Sequence, residues 1–168
     1  YHDMKIHGIS TDDTQEKNAL ACMNHDFTFE TIGDRIWPFL ENILEEELIP
    51  TYSYARLYTN GNVLEKHTDR PPCEISITIQ LGRSHHYSWP VYAGGKRFDL
   101  GECDGLLYKG CDVEHWRNAC DGPEDYYSGQ VFCHFVRANG PYAEYAGDQR
   151  WDGEMPFMRF RTLSMETK

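Results

Sequence analysis

Residues 66–81 read Lys66-His67-Thr68-Asp69-Arg70-Pro71-Pro72-Cys73-Glu74-Ile75-Ser76-Ile77-Thr78-Ile79-Gln80-Leu81. The second half alternates: Ile75, Ile77, Ile79 and Leu81 fall on one side of an extended chain, and Glu74, Ser76, Thr78 and Gln80 on the other. That is a strand with one apolar and one polar face. In the first half His67 and Asp69 stand two residues apart, so an extended chain points an imidazole and a carboxylate the same way. Arg70-Pro71-Pro72 fixes the exit from this loop, because each proline holds φ near one value.

Period-two patterning continues on both sides. Upstream, Tyr52, Tyr54, Arg56 and Tyr58 share a face, and Asn60-Gly61 marks a turn. Downstream, strands are expected over 89–93, 96–100, 105–109 and 130–137, with Gly94-Gly95 as a hairpin turn. Short strands punctuated this way point to a sandwich or barrel. Before them, Ile36, Phe39, Leu40, Ile43, Leu44 and Leu48 recur at three- and four-residue spacing. The spacing predicts a helix over 34–47, capped by Asp34, with Pro38 in its first turn and Pro50 ending it. A shorter helix is expected over 14–23. Residues 139–165, rich in Gly, aromatics and charges, carry no assignable pattern. The expectation is one domain over 1–168, mainly β with N-terminal helices: helical support over 1–49, a β core over 50–137 and a C-terminal extension over 138–168.

Composition narrows the function. The 168 residues include 16 Lys+Arg and 27 Asp+Glu, for a net charge of −11. Such a chain repels a phosphate backbone, and its basic residues are scattered, so no nucleic-acid partner is expected. No apolar run approaches ~18 residues, so no membrane span is expected. With 40% hydrophobic and 14% aromatic residues the chain can bury a core, which excludes disorder. Six cysteines without a C-x-x-C pair read as free thiols in a reducing compartment, which favours the cytoplasm. The chain begins at Tyr1 rather than Met, as a trimmed or processed chain does.

A His-x-Asp tripeptide alone is common by chance. It gains meaning with a third ligand, for which Tyr108-Lys109-Gly110-Cys111-Asp112-Val113-Glu114-His115-Trp116-Arg117 offers candidates. Two His and one carboxylate on one face of an octahedral ion leave three positions open, the facial triad of non-haem Fe(II) oxygenases. A rival reading is structural zinc on Cys103, Cys111, His115 and Cys120, but that run lacks the close Cys pair such sites use. His134, next to Cys133 in a strand, reads as structural, Trp116 as core or pocket wall, and His85-His86 as solvated loop.

Tyr58, Asn60-Gly61, His67-Thr68-Asp69, the 74–81 strand, the 101–109 segment and His115 together resemble iron(II)/2-oxoglutarate-dependent oxygenases of the prolyl 4-hydroxylase-like kind. The resemblance covers residues 50–137. More narrowly, Pro50-Thr51-Tyr52-Ser53-Tyr54-Ala55-Arg56, Asp69-Arg70-Pro71 and His115-Trp116-Arg117 are similar to a small group of bacterial and phage-type oxygenases. The resemblance implies a double-stranded β-helix (jelly-roll) barrel holding Fe(II) through His67, Asp69 and His115. It implies 2-oxoglutarate and O2 as co-substrates, and hydroxylation of a C–H bond with release of succinate and CO2. The intact carboxylate of Asp69 points to hydroxylation, since halogenating relatives replace it with a small residue. The substrate implied is prolyl, peptidyl or amino-acid-like.

The chain departs from the family over the far carboxylate of 2-oxoglutarate, which needs a buried cation. Relatives place Arg or Lys on the last strand, about ten residues after the second His; here that position is Asp125, and 130–136 holds neither. Arg117, two residues past His115, is the first expectation for this role. Arg56, on the face of Tyr58, is the second, with Tyr58 near the co-substrate and Thr78 and Gln80 in the pocket wall. The missing basic residue also leaves a second reading, a non-catalytic jelly-roll protein that binds a metal or ligand without turnover.

Overall fold

The computed structural model describes residues 21–24 and 26–149, with side chains over 26–148. Its helix α1 (Phe27–Leu44) is set by Asp26, whose Oδ1 accepts the Thr28 N–H at 2.8 Å. The helix thus starts at Phe27 rather than at Asp34, and Pro38 lies in its interior, not its first turn. A proline there forfeits a backbone hydrogen bond, at about 3 kcal/mol. Burial offsets this: Leu40 is buried on the sheet below, at roughly 1.5–3 kcal/mol for a fully buried large side chain, and Phe29, Ile32, Ile36, Trp37 and Leu44 pack partly buried around it.

Nor does Pro50 end the helix. Glu45 does, in the left-handed region at φ 54°. The reversal is clamped by the Leu48 N–H on Glu41 Oε1 (2.9 Å) and the Trp37 indole N–H on Leu48 O (3.0 Å). The helix expected over 14–23 falls outside the described residues up to 20, and its end is instead strand β1 (Ala21–Asn24).

Eight further strands follow: β2 (Leu48–Thr59), β3 (Leu64–His67), β4 (Ile75–Arg83), β5 (Val91–Ala93), β6 (Lys96–Phe98), β7 (Gly105–Lys109), β8 (His115–Arg117) and β9 (Tyr127–Arg137). They form two antiparallel sheets, in the orders β1-β2-β9-β4-β7 and β3-β8-β5-β6. After β2 the chain steps from one sheet to the other and back. Gly94 (φ 56°) and Gly95 (φ 78°) make the expected β5–β6 hairpin. Asn60-Gly61 turns the chain out of the larger sheet into the smaller, so its two flanking strands do not pair.

The expected barrel takes the form of two facing layers; among the described residues no ladder closes them into a ring. Alternation along β4 assigns its sides. Ile75 and Ile77 join Leu40, Leu48, Val131, Cys133 and Phe135 in the core beneath α1, while Ser76 and Thr78 turn toward the smaller sheet. No described helix is long and apolar enough to cross a membrane.

Candidate metal centre

His67 ends β3 and His115 begins β8, and the two are register partners. Pairing the strands therefore brings the imidazoles together, with ring centroids 4.2 Å apart and planes tilted by 54°. Asp69 follows two residues after His67 and is pinned by its backbone: its N–H donates to Gly110 O (2.9 Å), and Gly110 N–H donates to Glu74 O (3.0 Å). Its Oδ1 lies 3.6 Å from His67 Nε2 and 3.4 Å from His115 Nε2.

Both rings are anchored alike. His67 Nδ1 meets Glu65 O at 2.7 Å, and His115 Nδ1 meets Val113 O at 2.9 Å. A carbonyl only accepts, so each Nδ1 carries a proton and each Nε2 points inward, where it offers a lone pair whenever it holds no proton of its own. Two lone pairs and a carboxylate oxygen, mutually within 4.8 Å, repel one another unless a cation stands between them. A proton can take that place. The Asp69 carboxylate raises the His67 pKa against the opposing effect of burial. Burial also works against the charge of Asp69, but hydrogen bonds from His115 and His67 hold its pKa well below the usual range. The donor set, two imidazole nitrogens and one carboxylate on one side, suits a divalent transition metal with open positions.

A pocket opens beside the three side chains, walled by Tyr54, Leu64, Val91, Tyr108 and Phe132, with Thr78, Arg56 and Arg117 as polar lining. Burial pushes the phenols of Tyr54 and Tyr108 well up, so both stay neutral hydrogen-bonding groups. Arg117 is 2% exposed. Its Nη1 donates to Trp89 O, and its guanidinium lies 4.8 Å from the Trp89 ring centre. Its Nη2 is buried with no hydrogen-bond partner among the described residues, and burial lowers its pKa. A buried cation with an unfilled donor is costly unless an anion meets it.

Arg56 reaches the same pocket, donating from Nη1 to Tyr58 Oη (2.7 Å) among the rings of Tyr54, Tyr58 and Phe132. Tyr58 is fully buried behind the two arginines and does not itself line the pocket. Gln80 lies deeper, bonded to Ser128 and Gln130. The inward side of β9 presents Ser128, Gln130, Phe132 and His134 and no Arg or Lys. Arg137, its last residue, pairs with Glu74 (2.6 Å) and Glu46 instead. The cations that reach the pocket thus come from β2 and β8.

Cys103, Cys111 and Cys120 do not gather with His115 within ligand reach, and the five cysteines with described side chains are free thiols. Trp116, between two inward residues, faces outward; it stacks on Tyr92 at 5.2 Å beneath Lys66, away from the pocket. Sequence reasoning missed Ser76 and His134, which sit at the base of Asp69. Their link is a register pair across β4 and β9, invisible until the strands are aligned.

No protein-family model matches the chain, and no curated protein matches it in sequence. Solved structures do match in fold. A 2OG-Fe(II) oxygenase family oxidoreductase from Burkholderia pseudomallei superposes with a TM-score of 0.60 at 15% identity, over 81% of this chain and 79% of the other. A Pseudomonas putida prolyl-4-hydroxylase gives 0.57 at 14%, over 81% of each chain. The viral collagen prolyl hydroxylase of Paramecium bursaria Chlorella virus 1, in its 2OG complex, gives 0.55 at 9%, over 79% and 87%. At these identities the likeness is one of fold alone.

Proposed function

We propose that this chain is a non-haem Fe(II)- and 2-oxoglutarate-dependent dioxygenase on a double-stranded β-helix, acting as one domain in a reducing, cytoplasmic setting. The observation that carries the reading is the convergence of two inward Nε2 atoms and one carboxylate oxygen beside a buried arginine whose Nη2 has no hydrogen-bond partner among the described residues. His67, Asp69 and His115 would hold the iron. Arg117 first, with Arg56 braced by Tyr58, would hold the far carboxylate of 2-oxoglutarate. When bound, the metal and co-substrate supply O2 activation coupled to decarboxylation, so that substrate C–H, 2-oxoglutarate and O2 become substrate C–OH, succinate and CO2.

The chain's own share is orientation and shielding. The Nδ1 anchors hold the imidazoles in one tautomer, and Tyr54, Leu64, Val91, Tyr108 and Phe132 exclude water from the reacting volume. A prolyl, peptidyl or amino-acid-like C–H is the substrate class, supported by the prolyl hydroxylases among the fold neighbours. The sequence motifs favour the small bacterial and phage-type group. One observation favours a non-catalytic binding protein instead, the absence of Arg and Lys from the inward side of β9.

Anaerobic titration separates the two. Addition of Fe(II) and then 2-oxoglutarate should raise a weak visible charge-transfer band that needs both components. Folded protein that takes up no Fe(II), or takes it up without a band at any 2-oxoglutarate concentration, overturns the oxygenase reading.

A further inference from the structure

We infer that Ser76 and His134 are positioning residues for Asp69, forming a directed hydrogen-bond chain that occupies Oδ2 and leaves Oδ1 to the metal. The inference rests on the oxygenase reading, because it needs Asp69 to be a ligand.

Ser76 Oγ, fully buried, has three polar neighbours: Asp69 Oδ2 at 3.0 Å, Cys73 O at 3.1 Å and His134 Nδ1 at 2.8 Å. A hydroxyl has one hydrogen, and both oxygens are pure acceptors. If that hydrogen went to His134, two oxygens would face serine lone pairs with nothing between them. The closest contact must therefore run the other way: His134 Nδ1–H donates to Ser76, and Ser76 donates to an oxygen, with the ionised carboxylate the stronger acceptor. Asp69 Oδ1 is the oxygen that both metal-site Nε2 atoms approach, so the two carboxylate oxygens face different partners.

Packing gives the chain little freedom. A Cβ on Gly110 would lie 2.1 Å from Cys73 O, 2.5 Å from Asp69 Oδ2 and 2.7 Å from Ser76 Oγ. Only glycine lets the β7 exit close over this network while its own carbonyl takes the Asp69 N–H. His134 packs against two rings, 4.7 Å from Tyr52 and 5.7 Å from Tyr54. Ser76 and His134 are register partners on β4 and β9, so Asp69, on a loop, borrows its orientation from two paired interior strands of the larger sheet.

The test is Fe(II) affinity measured anaerobically, well below each variant's melting temperature, with 2-oxoglutarate affinity of the iron-loaded protein as the internal control. Ser76→Ala should weaken Fe(II) about tenfold, the low end of what outer hydrogen bonds to metal ligands contribute, and leave co-substrate affinity unchanged. His134→Phe keeps the ring but loses the donor and should weaken Fe(II) by about threefold, a part of the same effect. His134→Asn keeps an N–H near the Nδ1 position and should recover wild-type affinity. If Ser76→Ala does not fold, the two His134 variants decide alone. Wild-type Fe(II) affinity in His134→Phe, or equal losses in His134→Phe and His134→Asn, overturns the inference while the oxygenase reading stands. A wild-type protein that binds no Fe(II) overturns both.

Discussion

The two sides of the β4–β9 pair are both buried along the middle of the strands and are chemically unlike. Toward α1 they present Ile75, Ile77, Val131, Cys133 and Phe135, none more than 9% exposed. Toward the smaller sheet they present Ser76, Thr78, Gln80, Ser128, Gln130 and His134, with Phe132 among them, none more than 6% exposed. The first side gains by leaving water. Apart from Phe132 the second does not, and its polar atoms bond one another instead: Thr78 Oγ1 to Gln130 Oε1 (3.3 Å), Gln130 Nε2 to Gln80 Oε1 (3.1 Å), Gln80 Nε2 to Ser128 Oγ (3.0 Å). In most β-sandwiches the space between the sheets is the hydrophobic core. Here the larger apolar cluster lies on the helix side, and the space between the sheets is shared by a smaller aromatic cluster around Tyr58, Trp89, Tyr126 and Phe132 and by the candidate site. The apolar core and the candidate site are therefore carried by alternate residues of the same strands.

Breaking each side in turn tests that division most severely. His115→Ala should abolish Fe(II) uptake while the apo melting temperature stays within a few degrees, because a ligand is lost but no core is. Phe135→Ala should do the reverse, with a loss of about 3–5 kcal/mol in chemical denaturation and wild-type Fe(II) affinity measured in the cold. If Phe135→Ala weakened iron at temperatures where it is fully folded, the two sides would be coupled and the division would fail.

A finer break concerns the charge inside the polar side. Arg117→Met replaces a buried guanidinium with an apolar side chain of similar length. Co-substrate affinity should fall about ten- to a hundredfold, the value of one charged hydrogen bond, with Fe(II) uptake unchanged. The apo protein should be no less stable, because a buried cation with an unfilled donor is removed along with the bond to Trp89 O. Unchanged 2-oxoglutarate affinity would transfer the anchoring role to Arg56.

What the sequence discloses follows the same line. Strict alternation in 74–81 reveals the strand and its polar side, and Gly94-Gly95 reveals its hairpin, because both signals are local. His67, Asp69 and Arg117 are legible from i, i+2 spacing in extended chain. The helix start is not: Asp26 and Asp34 are equally good caps by type, and Phe27, 84% exposed, hides the true first turn from a reading of apolar periodicity. Pro38 misleads because its intrinsic cost is met by tertiary burial that lies in β2, β4 and β9. The Ser76–His134 pair is illegible in principle from one strand at a time, since 58 residues separate its members.

The smallest effect lies on the helix side, at Asp34. This half-buried carboxyl of α1 has its pKa raised by burial to about 6, from an ordinary value of 3.8. A folded-state pKa above the unfolded one means that the native state binds its proton first. Ionisation then opposes folding in full above about pH 6, and the penalty fades as pH falls toward 4. Partial exposure screens the charge, so the penalty is roughly 1 kcal/mol or less. Asp34→Asn, which keeps the volume and removes the charge, should raise the melting temperature by a few degrees at pH 7.5. It should give no gain near pH 4, where wild-type Asp34 is itself neutral in the fold. An equal gain at both pH values would mean that Asn acts through packing or helix propensity. The helix side would then carry no electrostatic debit, and its contrast with the charged pocket on the other side would be complete.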